Sequence, residues 1–118
     1  MNKKPILCLD FDGVIHDYRH GWSGASIVDG EPVPGSIEFL HAAIERFQVM
    51  VFSSRTHQFG GITAMEQWMK RHSMPTLALS FPGNKPPAFV TLDDRAITFT
   101  GEWPSIDSLL AFKPWNKR

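Results

Sequence analysis

The chain has 118 residues, of which 42% are hydrophobic and 20% charged, the composition of one ordinary globular domain with room for a single core. Twelve basic and twelve acidic side chains cancel, which excludes a global field that would recruit nucleic acid or a membrane surface, though not a local patch. Cys8 is the only cysteine, so no internal disulfide forms, and the apolar stretch after the basic Met1 to Pro5 stops at Asp10, too short for a signal peptide or a membrane span. The chain therefore reads as cytoplasmic, with no membrane partner.

Pro5 to Leu9 is an apolar run without alternation, which predicts a strand covered on both faces. Residues 16–34 are polar and rich in Gly and Pro, too short for an independent domain, and are expected to form a flap or irregular hairpin. Ile37, Leu40, Ile44 and Phe47 recur at helical spacing after Pro34-Gly35-Ser36. Gln48 to Phe52 predicts a second buried strand. Beyond the Gly60-Gly61 break, Ile62, Met65, Trp68 and Met69 form the stripe of a second helix. Thr76 to Ser80 and Ala88 to Leu92 predict two more strands, Ala96 to Phe99 a fifth, and Pro104 to Phe112 a last helix.

Strands alternating with helices predict an α/β fold over residues 1–118: a mainly parallel sheet of about five strands, with right-handed crossovers placing helices on both faces. In such sheets the reactive site gathers at the carboxyl ends of the strands, near the topological switch point.

Polar residues punctuate those ends. Asp10 and Asp12, in Asp10-Phe11-Asp12-Gly13-Val14, leave the first strand. Two carboxylates one residue apart beside a buried strand are costly unless a cation or strong donors stand with them. A turn carrying solvated aspartates is the plainer reading; a calcium loop lacks its alternate oxygen ligands and closing Glu. Ser53 closes the second strand, where its hydroxyl and the neighbouring Arg55 could bind phosphoryl oxygens or simply leave the strand. Lys85, between the prolines of Pro82-Gly83-Asn84-Lys85-Pro86-Pro87, could hold an ammonium at a set point or be an exposed loop lysine. Asp93 and Asp94 end the fourth strand, where adjacent carboxylates either share a magnesium ion or make a turn paired to Arg95.

Taken in order, Asp-x-Asp, Ser, Lys and Asp-Asp on successive elements of one sheet, the chain resembles the haloacid-dehalogenase-like superfamily of phosphohydrolases from Ile6 to about Phe99. The resemblance implies a Rossmann-like three-layer sandwich and a magnesium-dependent phosphomonoester hydrolase. It implies that Asp10 attacks phosphorus and becomes an aspartyl-phosphate. Asp12 would protonate the leaving oxygen and then deprotonate the attacking water. Ser53, with Ser54 and Arg55 beside it, would bind the phosphoryl group, and Lys85 would hold that group and Asp10 together. Magnesium would be held by Asp10, Asp12 through its backbone carbonyl, and Asp94, with Asp93 as a support or a ligand through water.

Two departures follow from spacing. Only Pro86-Pro87-Ala88 separate Lys85 from the next strand, so its ammonium must come from a loop. The gaps after Asp12 and Arg55 are too short for a cap domain, so the flap is the expected cover, unless a homo-oligomer closes the site. Expected substrates are a nucleotide, a sugar phosphate or a nucleic-acid end. Tyr18, Arg19, His20 and Trp22 would either meet such a substrate or pack the flap. Two other functions fit the same residues: a metal-dependent nuclease without a covalent intermediate, and a non-catalytic binding module.

Overall fold

A computed structural model describes residues 3–117; Met1, Asn2 and Arg118, the ends of the expected domain, lie outside the described residues. The chain is α/β. Its strands are β1 (Ile6–Leu9), β2 (Gln48–Val51), β3 (Leu79–Ser80) and β4 (Val90–Leu92), and its helices are α1 (Ser36–Ala43), α2 (Gly61–Arg71) and α3 (Ile106–Leu110). All strand pairs are parallel, in the order β3-β2-β1-β4. From β1 the chain moves outward through β2 and β3, then returns to the other side of β1 as β4. The crevice between the ends of β1 and β4 is therefore the switch point.

Register sorts the side chains. Leu7 pairs with Val49 and Val90, Leu9 with Val51 and Leu92, and Val49 with Leu79, so these seven residues share one face of the sheet. On that face Leu7, Leu9, Val49, Val51 and Leu79 join Leu40 and Ala43 of α1 and Met65, Trp68 and Met69 of α2 in one core cluster. Both longer helices thus cover the same face, rather than one on each side as the crossover argument predicts. The return from β3 to β4 contains no helix among the described residues, so nothing of that kind is supplied to the opposite face.

Several expected elements are shorter. After Ala43 the helix tightens, with Glu45 and Arg46 donating to the carbonyls three residues back, and Ile44 and Phe47 reach the core from that turn. Pro75 precedes a short 3-10 turn over Thr76–Ala78, which leaves only Leu79 and Ser80 to pair with β2. The sheet has four strands among the described residues, not about five. At the end of β4 the Asp93 carboxylate accepts the Arg95 N–H at 2.7 Å, an Asx turn that takes residues 96–99 off the sheet edge. The stretch beyond lies outside the core: Trp103 and Leu110 are 87% and 81% exposed. The radius of gyration is accordingly 15.0 Å, against roughly 13.5 Å for a compact chain of this length. No described helix is long and apolar enough to cross a membrane.

The flap is an irregular hairpin, as expected, closed at its base by an antiparallel bridge between His16 and Pro32 and pinned beside it. Trp68, fully buried on α2, donates its indole N–H to the Gly30 carbonyl at 3.1 Å and packs edge-on against Phe11 and His16. Trp68→Phe should keep the fold but leave that carbonyl unpaired and a small void beside it. The expected loss is about 1–3 kcal/mol of unfolding free energy, read from the denaturant midpoint at unchanged m-value.

Candidate active site at the ends of β1 and β4

Phe11 decides how the first loop is built. Its ring is fully buried against Trp68, which turns Asp10 and Asp12 away from the core on either side of it. Its carbonyl accepts the N–H groups of Val14, Ile15 and His16, folding the chain into a tight turn around one oxygen. Gly13 sits in that turn at φ +84°, and a Cβ there would overlap the Asp94 carboxylate. Only glycine supplies both the backbone conformation and the room for Asp94 to approach.

Around this turn, Asp10, Asp93 and Asp94 each offer a carboxylate oxygen within 4.8 Å of one another. This all-oxygen set suits a hard divalent cation. Magnesium bonds to oxygen at about 2.1 Å, so two opposed ligands stand no more than about 4.2 Å apart. Burial, a hydrogen bond with Asp94 and the nearby negative charge push the Asp10 carboxyl up to about 8, against the Phe11 N–H that donates to it at 2.8 Å. Clustered acids repel until a proton or a cation neutralises them.

Asp12 is in the opposite situation. Its side chain is outside the acidic cluster and is held by two partners: Arg55 donates from Nε to Oδ2 at 2.8 Å and from Nη2 to Oδ1 at 3.1 Å, and His16 Nδ1 lies 2.9 Å from Oδ1. The Gly30 N–H donates to His16 Nε2 at 2.8 Å, so the ring proton is on Nδ1 and is donated to Asp12. Burial works to raise the Asp12 carboxyl, but the His16 and Arg55 hydrogen bonds and the Arg55 charge outweigh it and hold it below the ordinary carboxylate range. The general acid expected from the sequence needs a raised value. The structure gives the raised value to Asp10 and the lowered one to Asp12.

Arg55 also departs from expectation. It is 0% exposed, and beyond Asp12 its Nη1 donates to the flap carbonyls of Gly24, Ala25 and Ile27 at 3.1, 2.9 and 2.9 Å. Its donors are spent on protein, so it positions Asp12 and the flap instead of meeting a substrate. Ser53 is buried at the end of β2, where its Oγ accepts the Arg55 N–H at 3.1 Å and keeps its own proton to donate. A cleft of about 160 Å³ brings Ser53 and the exposed Ser54 together with Asp10, Asp93 and Lys85. Lys85 thus reaches the site from its loop, without an ion pair to Asp10.

A second cleft, of about 180 Å³, opens on the other side of Asp10, toward Tyr18 and Trp22 of the flap and the C-terminal residues Asn116 and Lys117. Trp115 anchors that tail by donating its indole N–H to the Gly13 carbonyl at 2.7 Å. The flap is therefore not the sole cover; the chain end shares the role. His16, missed from the sequence, lies four residues after Asp12, and their contact is made across the Phe11 turn and not along a helix. Nothing local announces the tail, whose partner lies about a hundred residues away.

No family model matches the chain, and neither the curated proteins nor the solved structures compared with it contain a match.

The two carboxylates set opposite pH dependences. Folded Asp10 keeps its proton to about pH 8, whereas the unfolded chain releases it near 3.8; between those values the folded state binds more protons, and stability falls as pH rises. Asp12 contributes stability at neutral pH that is lost as pH falls through its depressed folded value. Metal-free protein should therefore melt higher at about pH 5.5 than at about pH 8. Asp10→Asn should flatten that slope and raise the melting temperature at the higher pH, as calorimetry in chelator would record.

Proposed function

We propose that this chain is a cytoplasmic, magnesium-dependent phosphohydrolase of the capless haloacid-dehalogenase-like kind, a single domain on a Rossmann-like α/β sheet, which cleaves phosphomonoesters through Asp10. One observation carries the reading: Asp10, Asp93 and Asp94 converge at the β1–β4 switch point, with Ser53 and Lys85 lining the same cleft. A phosphoryl group there would meet a carboxylate nucleophile, a hydroxyl donor and an ammonium. Bound magnesium would neutralise the carboxylate cluster and the charge on the phosphoryl oxygens, which leaves Asp10 ionised.

In the proposed reaction an Asp10 oxygen bonds to phosphorus as the ester oxygen leaves with a proton that Asp12, ionised at rest, first takes from solvent water and passes on. Water then attacks the aspartyl-phosphate, gives its proton to Asp12 and releases phosphate and free Asp10. Ser53 donates to a phosphoryl oxygen throughout, and Arg55 and His16 fix the angle at which Asp12 faces the leaving oxygen and the water. A lowered Asp12 suits the second half, where it acts as base. The same observation favours one other reading, in which Asp12 activates water directly and no covalent intermediate forms, as in a metal-dependent nuclease.

Asp10→Asn should lower turnover of a phosphomonoester by about three orders of magnitude or more with the fold intact by circular dichroism. Chelator should abolish wild-type activity, magnesium restore it, and calcium replace it poorly. Rapid quenching should trap phosphate on Asp10; activity without a trapped phosphate would favour the direct-water reading, and substantial activity in Asp10→Asn would remove both the nucleophile and the covalent route.

The exposed stretch from Phe89 to Leu110 supports a homo-oligomer. Three aromatic residues there, Phe89, Phe99 and Trp103, are each more than half exposed and present roughly 400 Å² of mostly apolar surface, about half of one partner's share in a standard interface. Phe99 and Trp103 are in ring contact, with centroids 4.8 Å apart, and exposed apolar patches often mark interaction sites. Light scattering should return the mass of at least two copies, and Trp103→Ser should reduce it; a single-copy mass at every concentration would overturn the assignment.

A further inference from the structure

We infer that the cleft between flap and C-terminal tail is a base-binding subsite, which makes the substrate a nucleoside monophosphate: phosphate at Asp10 and Asp94, base against Trp22, and a polar edge at Asn116. The inference rests on the phosphohydrolase reading for the phosphate end; the base end stands on separate observations.

Trp22 is the first of them. The Arg55 guanidinium lies 4.9 Å from its ring centroid and covers one face, yet the side chain remains 46% exposed. The exposure that remains belongs to the opposite face and the edges of a ring that lines the cleft. An indole fixed on one side by a cation and open on the other is a stacking platform for a flat ring. Because Arg55 itself is locked to Asp12 and to three flap carbonyls, the platform is set before the ligand arrives.

Tyr18, on the same lining, adopts φ +57°. A bulky non-glycine residue in the left-handed region is held there against its own preference, and such positions concentrate at ligand sites. Asn116 adds the most specific sign. Its Oδ1 is buried with no hydrogen-bond partner, while its Nδ2 donates to the Asp17 carbonyl at 3.4 Å. The reverse amide orientation would set two acceptors against each other, so the orphan is an acceptor. With less than 1 Å² of its surface accessible, it accepts an N–H or O–H from a ligand once the tail shifts to open it to the cleft. A sugar phosphate offers hydroxyls without a flat ring, and a simple aryl phosphate the ring without a donor; a nucleoside monophosphate offers both. Lys117 brings a positive charge to the same cleft for an anionic ligand, and the Trp115–Gly13 bond ties this wall to the turn that carries Asp10 and Asp12.

The test compares kcat/KM for the four common nucleoside monophosphates with that for glycerol phosphate, which has no ring, with magnesium present. Binding is read separately, from quenching of tryptophan fluorescence by the same nucleotides on Asp10→Asn protein. Trp22→Leu should lower the ratio of nucleotide to glycerol phosphate kcat/KM by about tenfold or more, the usual scale for one base on one ring, chiefly through KM. Trp22→Phe should restore most of it, Asn116→Ala should lower it again, and Trp22→Leu should remove most of the quenching. Nucleotides that quench Trp22 without being hydrolysed would leave the subsite standing and remove the phosphohydrolase reading. Glycerol phosphate turned over as well as nucleotides, with a ratio unmoved in Trp22→Leu and Asn116→Ala, would overturn the subsite and leave the enzyme. If Trp22→Leu does not fold, Trp22→Met, which fills the space without an aromatic face, and Asn116→Ala decide: unchanged ratios in both overturn it. Absence of both binding and turnover removes both. A 5′-phosphorylated oligonucleotide added as a further substrate tells the source of the ligand. A higher kcat/KM on it assigns the subsite to a strand end, and a lower one to the free mononucleotide.

Discussion

The buried pair of Arg55 and Asp12 is the constraint on which the rest of the site depends. A guanidinium that is wholly out of water must have its charge matched and its donors used. Asp12 supplies the charge and two acceptors, and three flap carbonyls supply the remainder. One side chain from the loop after β2 thereby joins the loop after β1 to a flap whose backbone pairing is confined to its base, where His16 and Pro32 form an antiparallel bridge. Flap order is thus obtained from electrostatics and not from propensity: residues 24–27 stay in place because their carbonyls solvate a charge. The same pair makes the site vulnerable as a unit. Removing either partner strands the other in a dry environment, a cost of about 3–5 kcal/mol in comparable cases, most of it outside the chemistry itself.

The two aspartates of Asp10-Phe11-Asp12 show how one turn can divide two identical side chains. Phe11 goes into the core and sends its neighbours in different directions. Asp10 meets two further carboxylates and is pushed up to about 8, while Asp12 meets a cation and an imidazole N–H and is held down. Such a separation is how a site assigns different roles to like groups. A cation at the cluster would reverse the proton affinity of Asp10, so its ionisation becomes a readout of occupancy, whereas Asp12 is ionised by the protein alone.

Elements with a strong local pattern were legible in the sequence. The four-residue stripe of α2 and the unalternating run of β1 each report burial directly, because periodicity is a local consequence of which faces are covered. Asp10, Ser53, Asp93 and Asp94 were legible for a related reason: strand ends at a switch point converge whatever the loops do. What failed was whatever depends on a partner far along the chain. Arg55 reads as a surface guanidinium after a strand, and only the three-dimensional path of the flap shows that its donors are taken. Ala96 to Phe99 has the composition of a strand, but the Asx turn at Asp93 directs it away from the edge it would have joined. Helices on both faces were expected from crossover handedness, and that rule holds only where a crossover contains a helix.

The tail and the flap together border the cleft beside Asp10. A phosphoryl-transfer site works better with water kept out, because its donors and charges act more strongly in a dry cleft. A folded cap excludes water with a core of its own. Here both segments are tied to the Asp10–Gly13 turn by polar contacts: the flap through Arg55, which bonds three flap carbonyls and Asp12, and the tail through the Trp115 indole on the Gly13 carbonyl. Gly13 then serves three demands at once, since its φ makes the turn, its missing Cβ admits Asp94, and its carbonyl holds the tail. Cover and carboxylate geometry are consequently not separable in this chain: a change that displaces the tail acts on the same peptide that sets the distance between Asp10 and Asp94.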